Sequence, residues 1–251
     1  MLHIFADPSA VQGDQLTVTG NEVNHIKNVL RMKPGDEISV SSTDSTDTKE
    51  YRYGIGEIRD DAVVCSLRFV KEADVELPVK VTLFQGLPKA DKMEWIIQKC
   101  VELGVNEIVP VKTARSVVKL EPAKQAKKVE RWQAIAESAA GQSRRRIVPA
   151  VREPMSMKEA AEYASGFDVR IIPYELSEDG RSTKEIFESI KPGDSVAVFI
   201  GPEGGFDPAE VKMCTEKGIE PVTLGRRILR TETAGMTVLS WLIFLMEIRK
   251  A

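Results

Sequence analysis

The sequence is poor in the residues that usually carry covalent or metal chemistry. Its 251 residues include two histidines, His3 and His25, both near the N-terminus, and three cysteines. A Ser-His-Asp triad would have to draw its histidine from one end of the chain. Cys65, Cys100 and Cys214 are widely spaced, odd in number and set in apolar patterns. They read as buried thiols rather than a disulfide framework. No Cys/His/Asp cluster has ligand spacing, so no metal is expected. An apolar run of about eighteen residues, as a membrane span requires, is missing. The opening MLHIFADPSA lacks the basic-then-apolar order of a signal peptide. These absences together call for a cytoplasmic protein without a membrane partner. Neither a P-loop nor a GxGxxG spacing is present, which argues against a bound nucleoside triphosphate.

What is present is an ordinary globular composition, 42% hydrophobic and 29% charged, with an uneven charge distribution. The net charge is −3, yet residues 112–152 hold eleven Lys/Arg against three Glu. That local excess of +8 leaves −11 for the rest of the chain. A basic face on an acidic protein points to a polyanion, most simply nucleic acid. The plain alternative is a solvated helix face.

The pattern divides the chain. Residues 1–72 read as a small β-rich domain, with strands at 38–40, 51–58 and 63–70 and a polar hairpin tip at 41–50. One helix interrupts them. It starts at Gly20 and Asn21, carries Val23, Ile26, Val29 and Leu30 as an apolar stripe, and ends at the turn Lys33-Pro34-Gly35-Asp36. His25, Lys27, Asn28 and Arg31 occupy its other face. The charged stretch 71–78 reads as a linker, and residues 73–251 alternate strands with helices. Strands are expected at 79–84, 107–111, 169–172, 196–200 and 222–224, with helices near 91–103, 124–140, 184–190 and 236–247. Such alternation predicts an α/β fold with a parallel sheet covered on both faces.

Two glycine-bearing loops follow the last two strands, where open α/β sheets hold ligands. The first, GPEGG (residues 201–205), has glycines enough for close main-chain approach to a flat ligand. Asp207, Pro208 and Glu210 after it form a helix start with a capping box. Glu203 either bonds a ligand amine or holds the loop. The second, LGRRILRTETA (residues 224–234), mixes Leu224, Ile228 and Leu229 with Arg226, Arg227 and Arg230. A loop that buries an aromatic ligand on one side and shows guanidinium groups to an anion on the other would carry both. The alternative is a helix start capped by Thr231 or Thr233, with its arginines in solvent.

IGPEGGF followed by LGRRILRTETA resembles the SPOUT class of methyltransferases, and in wording the RsmE-type ribosomal RNA uridine-N3 methyltransferases. The stretches GLPKADKMEWIIQKCVELGV, ARSVVKL, AAGQSRRRIVP and HIKNVLRMKPGD are similar to the same family. The resemblance implies a parallel sheet with a C-terminal deep trefoil knot, preceded by a PUA-like RNA-binding domain at residues 1–72. It implies S-adenosyl-L-methionine as cofactor, small-subunit (16S) ribosomal RNA as substrate, and a homodimer. It places the cofactor on Pro173, Tyr174 and Glu175, on Ile200, Gly201, Pro202, Glu203, Gly204 and Gly205, and on Leu224, Gly225, Ile228, Leu229, Thr231 and Ala234.

Arg230 is the leading catalytic candidate, with Glu232 either the proton acceptor or the residue that orients it. RNA phosphates would fall to His25, Arg31, Arg115, Arg144 and Arg145. His3, Asn24, Gly141 and Arg226 depart from the family's pattern, which bears on RNA affinity more than on the reaction. Two other readings share the fold: a ribose 2′-O-methyltransferase, and an RNA-binding module that has lost its cofactor.

Overall fold

The computed structural model describes every residue except 45, 48, 73–74, 119–121, 175–181 and 250–251. Two compact units emerge: Met1–Glu76 with Ala140–Val148, and Leu77–Ala139 with Pro149–Ala251.

The first unit is built on a six-stranded sheet of β1 (His3–Ala6), β2 (Val11–Gln12), β3 (Gln15–Thr19), β4 (Glu37–Ser42), β5 (Lys49–Ile58) and β6 (Ala62–Glu72). Its order is β1-β4-β5-β6-β3-β2, antiparallel except for the β1–β4 pair. Strict alternation in β3 turns Leu16 and Val18 onto a core with Ile4, Ile38, Val40, Ile55 and Val63.

The expected helix is different in kind. A single α-turn, α1 (Asn21–Asn24), passes into a π-turn over His25–Val29, closed by Leu30 N–H donating to the His25 carbonyl at 2.9 Å. The wider turn breaks the 3.6-residue period. Val23 and Ile26 reach the core, whereas Val29 and Leu30 are 63% and 46% exposed, so the four-residue stripe does not form.

The second unit carries a parallel sheet of seven strands: β7 (Lys80–Gly86), β8 (Glu107–Lys112), β9 (Ala150–Val151), β10 (Met155–Ser156), β11 (Val169–Pro173), β12 (Ser195–Ile200) and β13 (Glu220–Val222). The order runs β10-β8-β7-β12-β11-β13, with β9 also on β8. The helices are α2 (Lys92–Glu102), α3 (Pro122–Ser143), α4 (Met157–Tyr163), α5 (Thr183–Ser189), α6 (Pro208–Glu216) and α7 (Thr231–Ile243), the last continued by a π-turn over Phe244–Ile248.

β7 and β12 are central and apolar on both faces, with Phe84 and Phe199 stacked at 4.4 Å between ring centroids. Met157, Ala160 and Ala161 of α4 pack on this core. The sequence pattern overlooked α4, although Ser156 and Glu159 form the capping box that announces it. β13 lies two residues earlier than expected, ending at Val222; Pro221, which has no N–H to donate, is tolerated there because the strand lies at the sheet edge. α7 begins at Thr231, five residues before the expected start at Met236.

Thr231–Ile248 is long and apolar enough to cross a bilayer by length and composition. In the fold α7 packs on α2 and β12, with Val238, Leu239 and Leu242 buried.

The end of β7 approaches the loop after β12 so closely that only glycine fits. A Cβ on Gly86 would stand 2.6 Å from Pro202 Cδ and 2.8 Å from its nitrogen. Gly86→Ala is therefore expected to destabilise the protein by about 1–3 kcal/mol in urea unfolding. Gly166→Ala, where a Cβ meets nothing within 4 Å, should stay within about 0.5 kcal/mol of the parent.

Candidate cofactor pocket and substrate edge

At the C-terminal ends of β11, β12 and β13, three loops enclose a cavity of about 610 Å³. Pro173 and Tyr174 contribute from the first loop, and Ile200, Gly201, Pro202, Glu203, Gly205 and Phe206 from the second. The third supplies Val222, Thr223, Leu224, Gly225, Arg227, Ile228, Leu229 and Arg230, continuing into Thr231 and Ala234 of α7. Lys92 and Arg115 complete the wall.

The second loop is curled by a turn in which Gly205 N–H donates to the Pro202 carbonyl at 2.8 Å, with Gly205 at φ +67°. Gly204, expected on the cofactor, is exposed and does not line the cavity, and its carbonyl accepts from the Arg115 guanidinium at 3.2 Å. Asp207 caps α6 as the sequence indicated, accepting from Ala209 N–H at 3.0 Å while its own N–H donates to Glu210 at 3.0 Å.

Glu203 is occupied by the protein itself. Its carboxylate accepts from Lys89 N–H at 3.1 and 3.3 Å and lies 3.0 Å from Lys92 Nζ. Burial alone would push this carboxyl up; its own backbone N–H, Lys92 and Lys89 outweigh that and hold it below the usual carboxylate range. The hydrogen bond to Glu203, opposed by burial and reinforced by Glu232, raises the Lys92 ammonium above its ordinary value. Of the two roles open to Glu203, the contacts describe the loop holder.

The third loop starts from Gly225 at φ +102°, a backbone conformation that favours glycine. Leu224 and Leu229 are half-buried in the wall, while Ile228 stands at its rim, 84% exposed. Neither threonine caps α7. Arg230 is the cap residue, without a side-chain bond, and Thr231 takes the first helical position. The Thr231 hydroxyl donates to the Gly201 carbonyl at 2.6 Å and accepts from Gln85 Nε2 at 2.9 Å. Gln85, fully buried at the end of β7, also donates to the Gly86 carbonyl at 2.9 Å.

Arg230 is exposed on the wall, and its guanidinium has no hydrogen bond or ion pair among the described residues. Glu232 points to Lys92 Nζ at 3.3 Å and does not line the cavity. Lys92, Phe206, Val222, Thr223 and Arg227 line it without having been expected. For Lys92 the motif GLPKADKMEW gave no chemical signal, because only folding brings α2 to the two loops. Glu175, the remaining cofactor candidate, lies outside the described residues.

The RNA candidates separate. Arg115 belongs to the cavity, bonded to Gly204 and 3.5 Å from Asp207. His25, Arg31, Arg144 and Arg145 belong to the first unit. His25 is half-buried, 3.5 Å from Glu22. Arg31 and Arg144 are exposed, both at positive φ, 53° and 58°.

Arg145 corrects the expectation of a phosphate contact. It is 3% exposed and forms an ion pair with Glu76, its Nε 3.1 Å from Glu76 Oε2, so its guanidinium serves the fold. His3 is likewise internal, its Nδ1 2.9 Å from Ser39 Oγ, and burial pushes its imidazole down. The three thiols are buried, and burial drives Cys65 up to about 11 and Cys100 and Cys214 to about 12.

The cavity suits a nucleoside-sized ligand. Its volume lies within the usual range of small-molecule sites. Its wall pairs aliphatic surface from Ile200, Leu224, Leu229 and Ala234 with the close-approach glycine Gly201 and the positive-φ Gly225. A Cβ on Gly201 would meet Gly205 Cα at 3.2 Å, so the main chain itself forms that part of the cradle.

Residues 75–243 match the model of a family described as RNA methyltransferase domain, and residues 18–67 that of an RNA methyltransferase PUA domain. Ribosomal RNA small subunit methyltransferase E of Bacillus subtilis is 41% identical over 235 residues, covering 92% of this chain and 91% of that protein. The enzyme of that name from Aquifex aeolicus is 31% identical, covering 96% and 99%. Among solved structures, ribosomal RNA small subunit methyltransferase E from Neisseria gonorrhoeae bound to S-adenosyl methionine superposes with a TM-score of 0.85 at 29% identity, covering 98% of each chain. A methyltransferase from Legionella pneumophila with bound cofactor SAM gives 0.83 at 31% identity, covering 96% of each.

Two substitutions test this anatomy. Thr231→Val, nearly isosteric, removes the bond that joins α7 to the loop after β12 and the one that joins it to the end of β7, leaving one buried N–H of the Gln85 amide without its acceptor. It should cost about 1–3 kcal/mol in urea unfolding. Arg145→Met leaves the Glu76 carboxylate without its guanidinium and should destabilise the protein by about 3 kcal/mol, read by the same method.

Proposed function

The chain belongs to the RNA methyltransferase family, with S-adenosylmethionine as its cofactor, and we propose that it methylates N3 of a uridine in small-subunit ribosomal RNA. The observation that carries this reading is the three-loop cavity with the unpaired Arg230 guanidinium on its wall. The cofactor supplies a methyl group made electrophilic by its sulfonium. The residues proposed to hold it are Pro173 and Tyr174, the main chain of Ile200, Gly201, Pro202, Glu203 and Gly205, and Leu224, Gly225, Leu229 and Ala234. Ile228 covers the rim.

A uridine that gives up its N3 proton to solvent water before N3 takes the methyl group carries negative charge on the ring. Arg230 faces the cavity and stabilises that charge, while the loops hold the reacting atoms in line. Exposed Arg226 and Arg227 flank the same edge and meet phosphates, as do Arg31 and Arg144 on the first unit.

Three further features belong to this reading. The strand order, with β12 between β7 and β11 and β13 beyond β11, is compatible with a C-terminal trefoil knot formed by the last strands and their loops. The exposed apolar residues Phe244 and Ile248 beyond α7, with Trp95 on α2, are assigned to contact with a second copy in a homodimer. The protein works in the cytoplasm, on the small ribosomal subunit or its RNA.

The test is transfer of labelled methyl from S-adenosylmethionine to small ribosomal subunits from a strain lacking this activity, with the product nucleoside identified by mass spectrometry. 3-Methyluridine is expected, and Arg230→Ala should slow its formation by about 10²–10³-fold. Cofactor at 100 times its Kd should stabilise the parent by about 2.7 kcal/mol in a thermal melt. A chain whose melting is unmoved by the cofactor would rule out the enzyme reading.

A further inference from the structure

The cavity wall holds a charge arrangement that the reading above leaves unused. Lys92 Nζ lies 3.0 Å from Glu203 Oε1 and 3.3 Å from Glu232 Oε2. Glu203 comes from the loop after β12, and Glu232 from the first turn of α7, two residues past Arg230. One ammonium thus serves two carboxylates on two different segments.

The two carboxylates depend on Lys92 unequally. Glu203 keeps the Lys89 N–H as a second partner at 3.1 Å. For Glu232, Lys92 is the side-chain partner among the described residues. Arg230, so near in sequence to Glu232, nevertheless stays unpaired and lines the cavity. The raised ammonium of Lys92 remains charged through neutral pH, so the hold on both carboxylates persists at working conditions.

The geometry points to Lys92 as a positioning residue for methyl transfer: by holding Glu232 it leaves the Arg230 guanidinium free for the anion that develops on the base. This rests on the methyltransferase reading with Arg230 as the stabilising cation. The physical reason is charge balance in a partly desolvated site. The trio of Lys92, Glu203 and Glu232 carries one net negative charge. Without Lys92 it carries two, and Glu232 is released beside the one cation the reaction needs. An added carboxylate close to that cation opposes the same charge that Arg230 stabilises.

The experiment is a double-mutant cycle on the full chain, with Lys92→Met, Glu232→Gln, the pair together, and Lys92→Arg. Cofactor Kd is read by calorimetry and the single-turnover rate on unmethylated small subunits. Lys92→Met should slow transfer about tenfold while cofactor Kd stays within about threefold, because Glu203 retains the Lys89 N–H. Adding Glu232→Gln should restore the rate to within about threefold of Glu232→Gln alone, and Lys92→Arg should remain close to the parent. A structural prop would show no such rescue. Lys92→Gln replaces the methionine variant if the latter melts below the assay temperature.

The inference is overturned if the double variant is as slow as Lys92→Met or slower. It is also overturned if Lys92→Met loses cofactor affinity in proportion to rate, or if Glu232→Gln alone abolishes transfer, which would make Glu232 the proton acceptor. A parent chain that binds no cofactor would remove the methyltransferase reading itself, and the positioning role with it.

Discussion

The second unit depends on a small set of buried hydrogen bonds where three segments meet. The Thr231 hydroxyl joins the Gly201 carbonyl at the end of β12 to the Gln85 amide at the end of β7. The same place requires Gly86, because Pro202 passes where a Cβ would stand. A hydroxyl and an amide NH2 buried this deeply are costly unless paired, and pairing them fixes the start of α7 against the loop after β12. Two of the three loops that enclose the cavity are anchored at that junction. The shape of the cofactor site is thus a consequence of how the strand ends pack.

Charge is handled differently from shape. Carboxylates near the cavity are each taken up locally: Glu203 by Lys92 and Lys89, Glu232 by Lys92, and Asp207 by the N-terminus of α6 and Arg115. The guanidiniums of Arg226, Arg227 and Arg230 are left without partners among the described residues. A wall whose anions are satisfied and whose cations are free presents positive potential to an incoming polyanion. Arg145 shows the reverse case. One residue beyond the exposed Arg144, it is committed to Glu76, so a basic run in sequence is not a basic patch in space.

Much of the α/β alternation was legible because the central strand β12 is an unbroken apolar run after its first residue, and because α2 and α6 carry strong periodic or capping signals. The two ligand loops were legible for local reasons: a glycine cluster after β12, and aliphatic residues mixed with arginines after β13. What escaped was governed by partners distant in sequence or by non-standard turns. The π-turn at His25–Val29 displaced Val29 and Leu30 to the surface, and no 3.6-residue pattern can foresee that. α4 carried its capping box openly but had too short an apolar face to stand out.

By itself, the sequence determined where the long central strands lie, where the main chain must pass without a side chain, and which loops carry the arginines. Those are local matters of period, sterics and composition. Only the tertiary structure decided what each polar side chain does. Glu203 holds a loop because Lys89 and Lys92 converge on it; Arg145 is internal because Glu76 meets it; Lys92 enters the cavity because α2 packs beside α7. The role of a charged group follows from the charges and solvent around it, and packing between segments far apart in the chain sets both.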